Sequence, residues 1–255
     1  MASKRNPTDL SPAQLALIEM QDDVRSHFGW DESDDLSSAL ELLQRVEGSS
    51  VEKWARHNRA AALSRLYRRL VIREPKIAIL GAAIEPHEVV RILEFPTLIV
   101  AADGASGVLS ELPPSLSELA WSRIACVVSD ADGGDGTVKA VSRAVPIILH
   151  AHGDNREDWL SLVQEAETQA TSPDLVLTHQ TSSIINGMHN PGGFTDGDRA
   201  ACFLTALGVG PVSISMLGTR TDTVGRWSGN TDETRKSEKL RWMERSLKIQ
   251  GLWAG

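Results

Sequence analysis

The sequence predicts an α/β fold with a doubly wound, mostly parallel, Rossmann-like sheet, and three observations lead there. Six short β-rich runs, KIAIL, TLIVA, IACVV, PIILH, DLVLT and VSISML, begin at Lys76 and are separated mostly by amphipathic segments. The runs are apolar almost throughout, as strands buried on both faces of a parallel sheet are. Residues 1–74 contain no comparable run. The expected organisation is a helical N-terminal region, or cap, over residues 1–74 and an α/β catalytic domain over residues 75–255, with right-handed crossovers placing helices on both faces of the sheet.

In the N-terminal region, Leu36, Leu40 and Leu43 fall at helical spacing, as do Leu63, Leu66 and Leu70. Lys53, Arg56, Arg59, Arg65, Arg68, Arg69 and Arg73 read as the solvated face of one helix. Pro75 ends that helix, because its ring excludes a helical interior, and the first strand follows. The connection from Gln180 to Phe194 is long for a compact domain and rich in Gly and Asn, which marks it as functional and able to move. Thr195 is placed to cap a helix that runs to about Leu207, with Gly208 beyond its end. A last helix is expected over about Glu233–Gln250, capped by Thr231 and burying Leu240, Met243 and Leu247 on one face.

With 255 residues, 41% of them apolar, the chain can bury a substantial core. A formal charge of -8 argues against nucleic acid as a partner, since phosphate-backbone affinity needs clustered positive charge. No run is long and apolar enough to span a bilayer, and MASKRNPTDLSPAQ lacks the apolar stretch of a signal peptide, so a cytoplasmic location is expected. Cys126 and Cys202 form no Cys-x-x-Cys pair and read as buried hydrophobes. Small-molecule partners are expected; whether the chain forms a homo-oligomer is left open.

Polar or glycine-containing motifs follow one strand after another: Gly81, Asp103-Gly104, Asp130-Ala131-Asp132-Gly133, His150-Ala151-His152-Gly153-Asp154-Asn155 and Gln180. In an open parallel sheet the carboxyl ends of the strands form the ligand crevice, so these loops are expected to converge. Asp130 and Asp132, two apart on extended chain, can face one cation, and Mg2+ favours one or two carboxylates with water and substrate phosphates. The acidic turn SDADGGDG is not a calcium loop, for Val141 stands where the bidentate Glu belongs. His150, His152 and Asp154 repeat the spacing and leave open a zinc hydrolase built on His-x-His-x-Asp. Gly192, Gly193, Thr195, Asp196, Asp198 and Arg199 join the long loop to a helix start, a good place to hold a polar ligand.

Asp103-Gly104-Ala105, the DADG and HAHGDN motifs, Thr178-His179-Gln180 and above all Gly192-Gly193-Phe194-Thr195-Asp196-Gly197-Asp198-Arg199-Ala200 resemble the archaeal 6-hydroxymethyl-7,8-dihydropterin diphosphokinases, related in fold to thiamine diphosphokinases. The likeness extends to Phe28-Gly29 and Asp34-Asp35-Leu36. It implies diphosphate transfer from ATP to the pterin, Mg2+ as cofactor, and a place in folate-type or methanopterin-type cofactor biosynthesis. On this reading Asp130, Asp132 and Asp154 hold the metal. His150 and His152 act beside them, and Gly81, Asp103, Gly104, Asn155, Gln180, Gly192, Gly193, Thr195, Asp196, Asp198 and Arg199 bind substrate or nucleotide. The chain departs from the family at Gly81-Ala82-Ala83-Ile84-Glu85-Pro86 and at Gly218-Thr219-Arg220. The alternatives are a metal-dependent hydrolase and a catalytically silent nucleotide-binding regulator.

Overall fold

Each of the six apolar runs forms a strand, because runs of four to six β-branched and aliphatic residues can bury both faces only inside a sheet covered by helices. The computed structural model describes residue 8 and residues 10–229 and 233–253. The strands are β1 (Lys76–Leu80), β2 (Thr97–Ala102), β3 (Ile124–Ser129), β4 (Ile147–Ala151), β5 (Leu175–His179) and β6 (Ile214–Leu217). They form one sheet in the order β5-β4-β3-β2-β1-β6, and every pairing in it is parallel. The expected mostly parallel sheet is therefore parallel throughout among the described residues. In register, Leu80 lies beside Ala101 on one side and Leu217 on the other.

The chain winds outward from β1 to β5 and then returns to place β6 on the far side of β1. Helices α4 (Pro86–Leu93), α5 (Pro114–Arg123), α6 (Gly134–Ser142) and α7 (Arg156–Thr168) pack into one core layer, where Val89, Ala120, Val141 and Val163 are buried. Helices α8 (Asp196–Leu207) and α9 (Glu233–Ile249) pack into the other through Phe203, Leu204 and Leu247. This is the doubly wound arrangement, and its topological switch point lies between β1 and β6.

Helices α1 (Ala16–Phe28), α2 (Glu32–Glu47) and α3 (Arg56–Tyr67) form before the sheet, as the absence of β-rich runs requires. The N-terminal region takes part in both layers: Ala39, Leu42, Val46 and Trp54 join the first, and Leu63, Leu66 and Leu70 the second. On α2 the buried stripe is Asp35, Ser38, Ala39, Leu42 and Val46, while Leu40 is exposed. The leucine spacing finds the helix, but Leu36 and Leu43 only border the core and Leu40 lies outside it. The basic face also divides: Arg56 and Arg65 are exposed ion-pair partners of Glu47 and Asp174, whereas Arg59 is buried and donates to the Trp54 carbonyl at 2.7 Å. The proposed Thr231 cap lies outside the described residues.

Candidate active site

The carboxyl ends of β1 to β5 carry the residues expected there: Gly81 after β1, Asp103 after β2, Asp130 after β3, His150 near the end of β4 and Gln180 after β5. Because all strands run in parallel, these positions share one sheet edge. A crevice opens at that edge, over the β1/β6 switch point. Of the expected site residues, Gly81, Asp103, Asp130, Asp132, His152, Gln180, Thr195, Asp196 and Arg199 line it.

Three carboxylates meet on its floor: an oxygen of each of Asp103, Asp130 and Asp196 lies within 4.8 Å of the others. Asp103 is placed by local chemistry, since its backbone sits in the left-handed region (φ 45), which Asp tolerates better than most residues. Its Oδ1 then accepts from the hydroxyls of Ser129 and, at 3.0 Å, Thr137. Asp196 comes from the first turn of α8, across the long β5–α8 connection. Burial, reinforced by the charges of Asp196, Asp130 and Asp132, pushes Asp103 well above the usual carboxylate range. Burial and the neighbouring Asp130 raise Asp196 to about 7. Burial would also raise Asp130, but the His152 hydrogen bond and the charges of His152 and Arg199 outweigh it and hold the carboxyl low.

Cationic groups face this floor. Buried Arg199 donates from Nη1 to Asp130 at 3.3 Å and Asp196 at 3.4 Å, and from Nη2 to Gln180 Oε1 at 3.2 Å. His152 bridges Asp130 (3.3 Å) and Asp154 (2.6 Å) through its two ring nitrogens. Burial works against its charge, but the Asp130 and Asp154 hydrogen bonds prevail and bring it to about 9. Lys236 and Lys239 of α9 also line the crevice. The Lys239 ammonium sits 5.8 Å from the ring centroids of both Trp30 and Phe194, within cation–π reach. In the sequence the basic residues of this helix read first as a solvated face, with Lys236 and Lys239 as the alternative candidates to screen a triphosphate, and it is these two that line the crevice.

The remaining expected residues stand behind the crevice wall. His150 is buried, with Nδ1 3.0 Å from Thr178 Oγ1 and Nε2 3.4 Å from Gln180 Oε1. Asn155 ties the segments after β3 and β4 together, donating to the carbonyls of Asp130 and His150 at 2.8 Å and accepting from His152 N–H at 2.9 Å. Asp198 is fully buried and accepts the amides of Phe194 (2.8 Å) and Thr195 (2.7 Å), which closes a capping box at the start of α8. Gly192 and Gly193, both at φ 93, let the loop pass hard against Leu17 and Arg199. Gly104 packs on Gly133, where a Cβ would lie 2.9 Å from the Gly133 carbonyl oxygen. Asp154 lies mostly exposed on the outer side of His152, away from the carboxylates that Asp130 meets.

A divalent cation fits the floor. Asp130 Oδ1 is buried without a hydrogen-bond partner, and it belongs to the one group of possible metal ligands found among the described residues. An all-carboxylate donor set suits a hard cation such as Mg2+ better than zinc, which prefers nitrogen and sulfur. His150, His152 and Asp154 do not converge in such a group.

Fold and crevice define an open-sheet α/β protein with an acidic ligand site at its switch point. No protein-family model matches the chain. It is nevertheless similar to the 6-hydroxymethyl-7,8-dihydropterin pyrophosphokinase of Methanothermobacter thermautotrophicus, with 32% identity over 132 residues, 50% of this chain and 49% of that protein. The protein of the same name from Pyrococcus furiosus is 36% identical over 132 residues, 51% of this chain and 48% of its own. The chain thus spans about half the length of the curated relatives it matches. The family resemblance carried by the motifs is borne out by these two relatives.

Proposed function

We propose that this chain transfers a diphosphate group from ATP to 6-hydroxymethyl-7,8-dihydropterin and releases AMP. The observation that carries the reading is the convergence of Asp103, Asp130 and Asp196 at the switch point, opposite Arg199, His152 and Lys239, in a chain similar to two pterin pyrophosphokinases. Acceptor attack on the β-phosphorus depends mainly on positioning and charge neutralisation.

Asp103, Asp130 and Asp196, with Asp132 adjoining at the mouth, would hold Mg2+. The ion supplies charge neutralisation for a triphosphate that these carboxylates would otherwise repel. Lys239 and Lys236 contact phosphate oxygens from the opposite wall, Lys239 being aimed by its seat between Trp30 and Phe194. Arg199 orients the Asp130 and Asp196 carboxylates. His152, fixed between Asp130 and Asp154, brings a positive charge beside the carboxylate floor. Asp154, Asn155, Asp198, His150 and the paired glycines act by holding these groups in place. The pterin enters beside the Phe194–Asp196 segment, which lines the crevice. In this role the chain serves folate-type or methanopterin-type cofactor biosynthesis.

The test is incubation with magnesium–ATP and 6-hydroxymethyl-7,8-dihydropterin, followed by nucleotide analysis. AMP equimolar with a pterin diphosphate is the expected result. ADP as the product would demote the chain to a simple kinase, and no pterin-dependent turnover would sink the reading.

A further inference from the structure

The N-terminal helices reach the site through one buried carboxylate. Asp35, in the first turns of α2, is buried against the loops that follow β4 and β5. Its Oδ1 accepts the Gly153 amide at 2.8 Å, and its Oδ2 accepts the Gln180 side-chain amide at 2.9 Å. Arg25 of α1 backs this contact: its Nη1 donates to the Gln180 carbonyl at 2.8 Å and stands 3.5 Å from Asp35 Oδ2.

An amide is asymmetric, and that decides what Gln180 presents to the crevice. With its NH2 group committed to Asp35, its Oε1 must point the other way, and there it accepts from Arg199 Nη2 at 3.2 Å. Turned over, Gln180 would set its own N–H donors against the Arg199 guanidinium, which has no acceptor. The orientation of Arg199 toward Asp130 and Asp196 therefore depends on a residue of the helical front that does not line the crevice. We infer that Asp35 is a positioning residue for the active site, fixing the Gln180 amide so that its oxygen holds Arg199 over the carboxylate floor. The inference rests on the functional reading above only for its kinetic readout.

The geometry specifies a polarity swap that tests it. In Asp35→Asn, the new side chain keeps an oxygen that can accept from Gly153, but its NH2 group faces that of Gln180. In Gln180→Glu, two carboxylates meet across the contact. In the double variant, the introduced amide donates to one oxygen of the introduced carboxylate while the other oxygen accepts from Arg199, and the net charge equals that of the unaltered chain.

The experiment measures steady-state turnover of these four proteins with magnesium–ATP and 6-hydroxymethyl-7,8-dihydropterin, each checked for folding by circular dichroism. Each single variant is expected to lose at least about tenfold in kcat. The double variant is expected to return to within about threefold of the unaltered chain, because the two changes are coupled and not additive. A double variant no better than the worse single one, or full kcat in Asp35→Asn, would overturn the inference. If Asp35→Asn fails to fold, Gln180→Glu carries the test, and full kcat in that variant overturns it. The same proteins are titrated with magnesium–ATP by calorimetry. An unaltered chain that binds without turnover then defeats the functional reading alone, and the swap is judged by whether the double variant regains the affinity that the single variants lose.

Discussion

Asp130 concentrates more of the site than any other side chain. One oxygen faces both His152 and Arg199, while the other is buried with no hydrogen-bond partner. A buried acceptor left in that state costs free energy unless a ligand completes it. Asp130→Asn keeps the shape and removes the charge, so it should fold normally and lose about a hundredfold or more in turnover, the scale of a lost transition-state electrostatic partner. Full activity of the variant in magnesium would place the metal elsewhere. His179, behind the site, offers a stability test. Burial, with a smaller contribution from the charge of His189, lowers it from 6.5 to about 4. Above pH 6.5 it is neutral in both folded and unfolded chain, and its contribution is fully present. As pH falls from 6.5 through about 4, the unfolded chain takes up a proton that the folded one refuses, and stability is lost, by roughly 3 kcal/mol if the whole shift is realised. His179→Asn keeps an acceptor for the Thr181 amide, which His179 Nδ1 accepts at 3.2 Å. Urea unfolding of both proteins between about pH 7 and 4 should show a shallower decline in the variant; parallel declines would show that His179 does not titrate this way.

At the scale of elements, α2 shows how far periodicity reaches. Leucines at 36, 40 and 43 mark a helix, yet Leu40 is 48% exposed while Leu42 is fully buried in the first core layer. The face is set by Asp35 and Ser38, polar residues turned inward to bond Gln180 and the Trp159 indole N–H. No hydrophobic pattern contains that information. Leu42→Ala should cost about 2 to 5 kcal/mol, as cavity-forming core truncations do. Leu40→Ala should change stability by no more than about 0.5 kcal/mol. Denaturant unfolding of the two variants checks the assignment, and equal losses would contradict the buried stripe.

For the whole molecule, the crevice joins segments remote in sequence: Trp30 before α2, the ends of β1, β2 and β3, Phe194 and Asp196 around the start of α8, and Lys239 on α9. Such a site binds a cation only when folded, so the cation stabilises the fold by mass action. At a concentration about a hundred times its dissociation constant, magnesium should add about 2.7 kcal/mol. For a chain of this size that is roughly 5 to 10 °C in melting temperature. Calorimetric scans in EDTA and in magnesium should show the rise in the unaltered chain and little of it in Asp130→Asn. An equal rise in both would mean that the ion acts away from this floor.

The sequence by itself determined the strands, their parallel arrangement, and the sheet edge on which Gly81, Asp103, Asp130, His150 and Gln180 lie. These follow from local signals, since a strand buried on two faces is apolar almost throughout and parallel neighbours need the crossover connections that the intervening helices supply. The family likeness was also legible, because each motif that carries it is by itself a continuous stretch of the chain. Only the tertiary structure decided which carboxylates meet. Spacing pairs Asp130 with Asp132 and Asp154 along the sequence; the fold keeps Asp132 in the crevice, leaves Asp154 on the outer side of His152, and brings Asp103 and Asp196 to Asp130 from a neighbouring strand end and a distant helix. It likewise decided that Asp198 caps a helix, that Lys239 faces the crevice and that Asp35 reaches the site from the N-terminal helices. The reason is physical: local sequence fixes backbone conformation within a few residues, while the partner of a side chain is set by packing between elements that are close only once the core has formed.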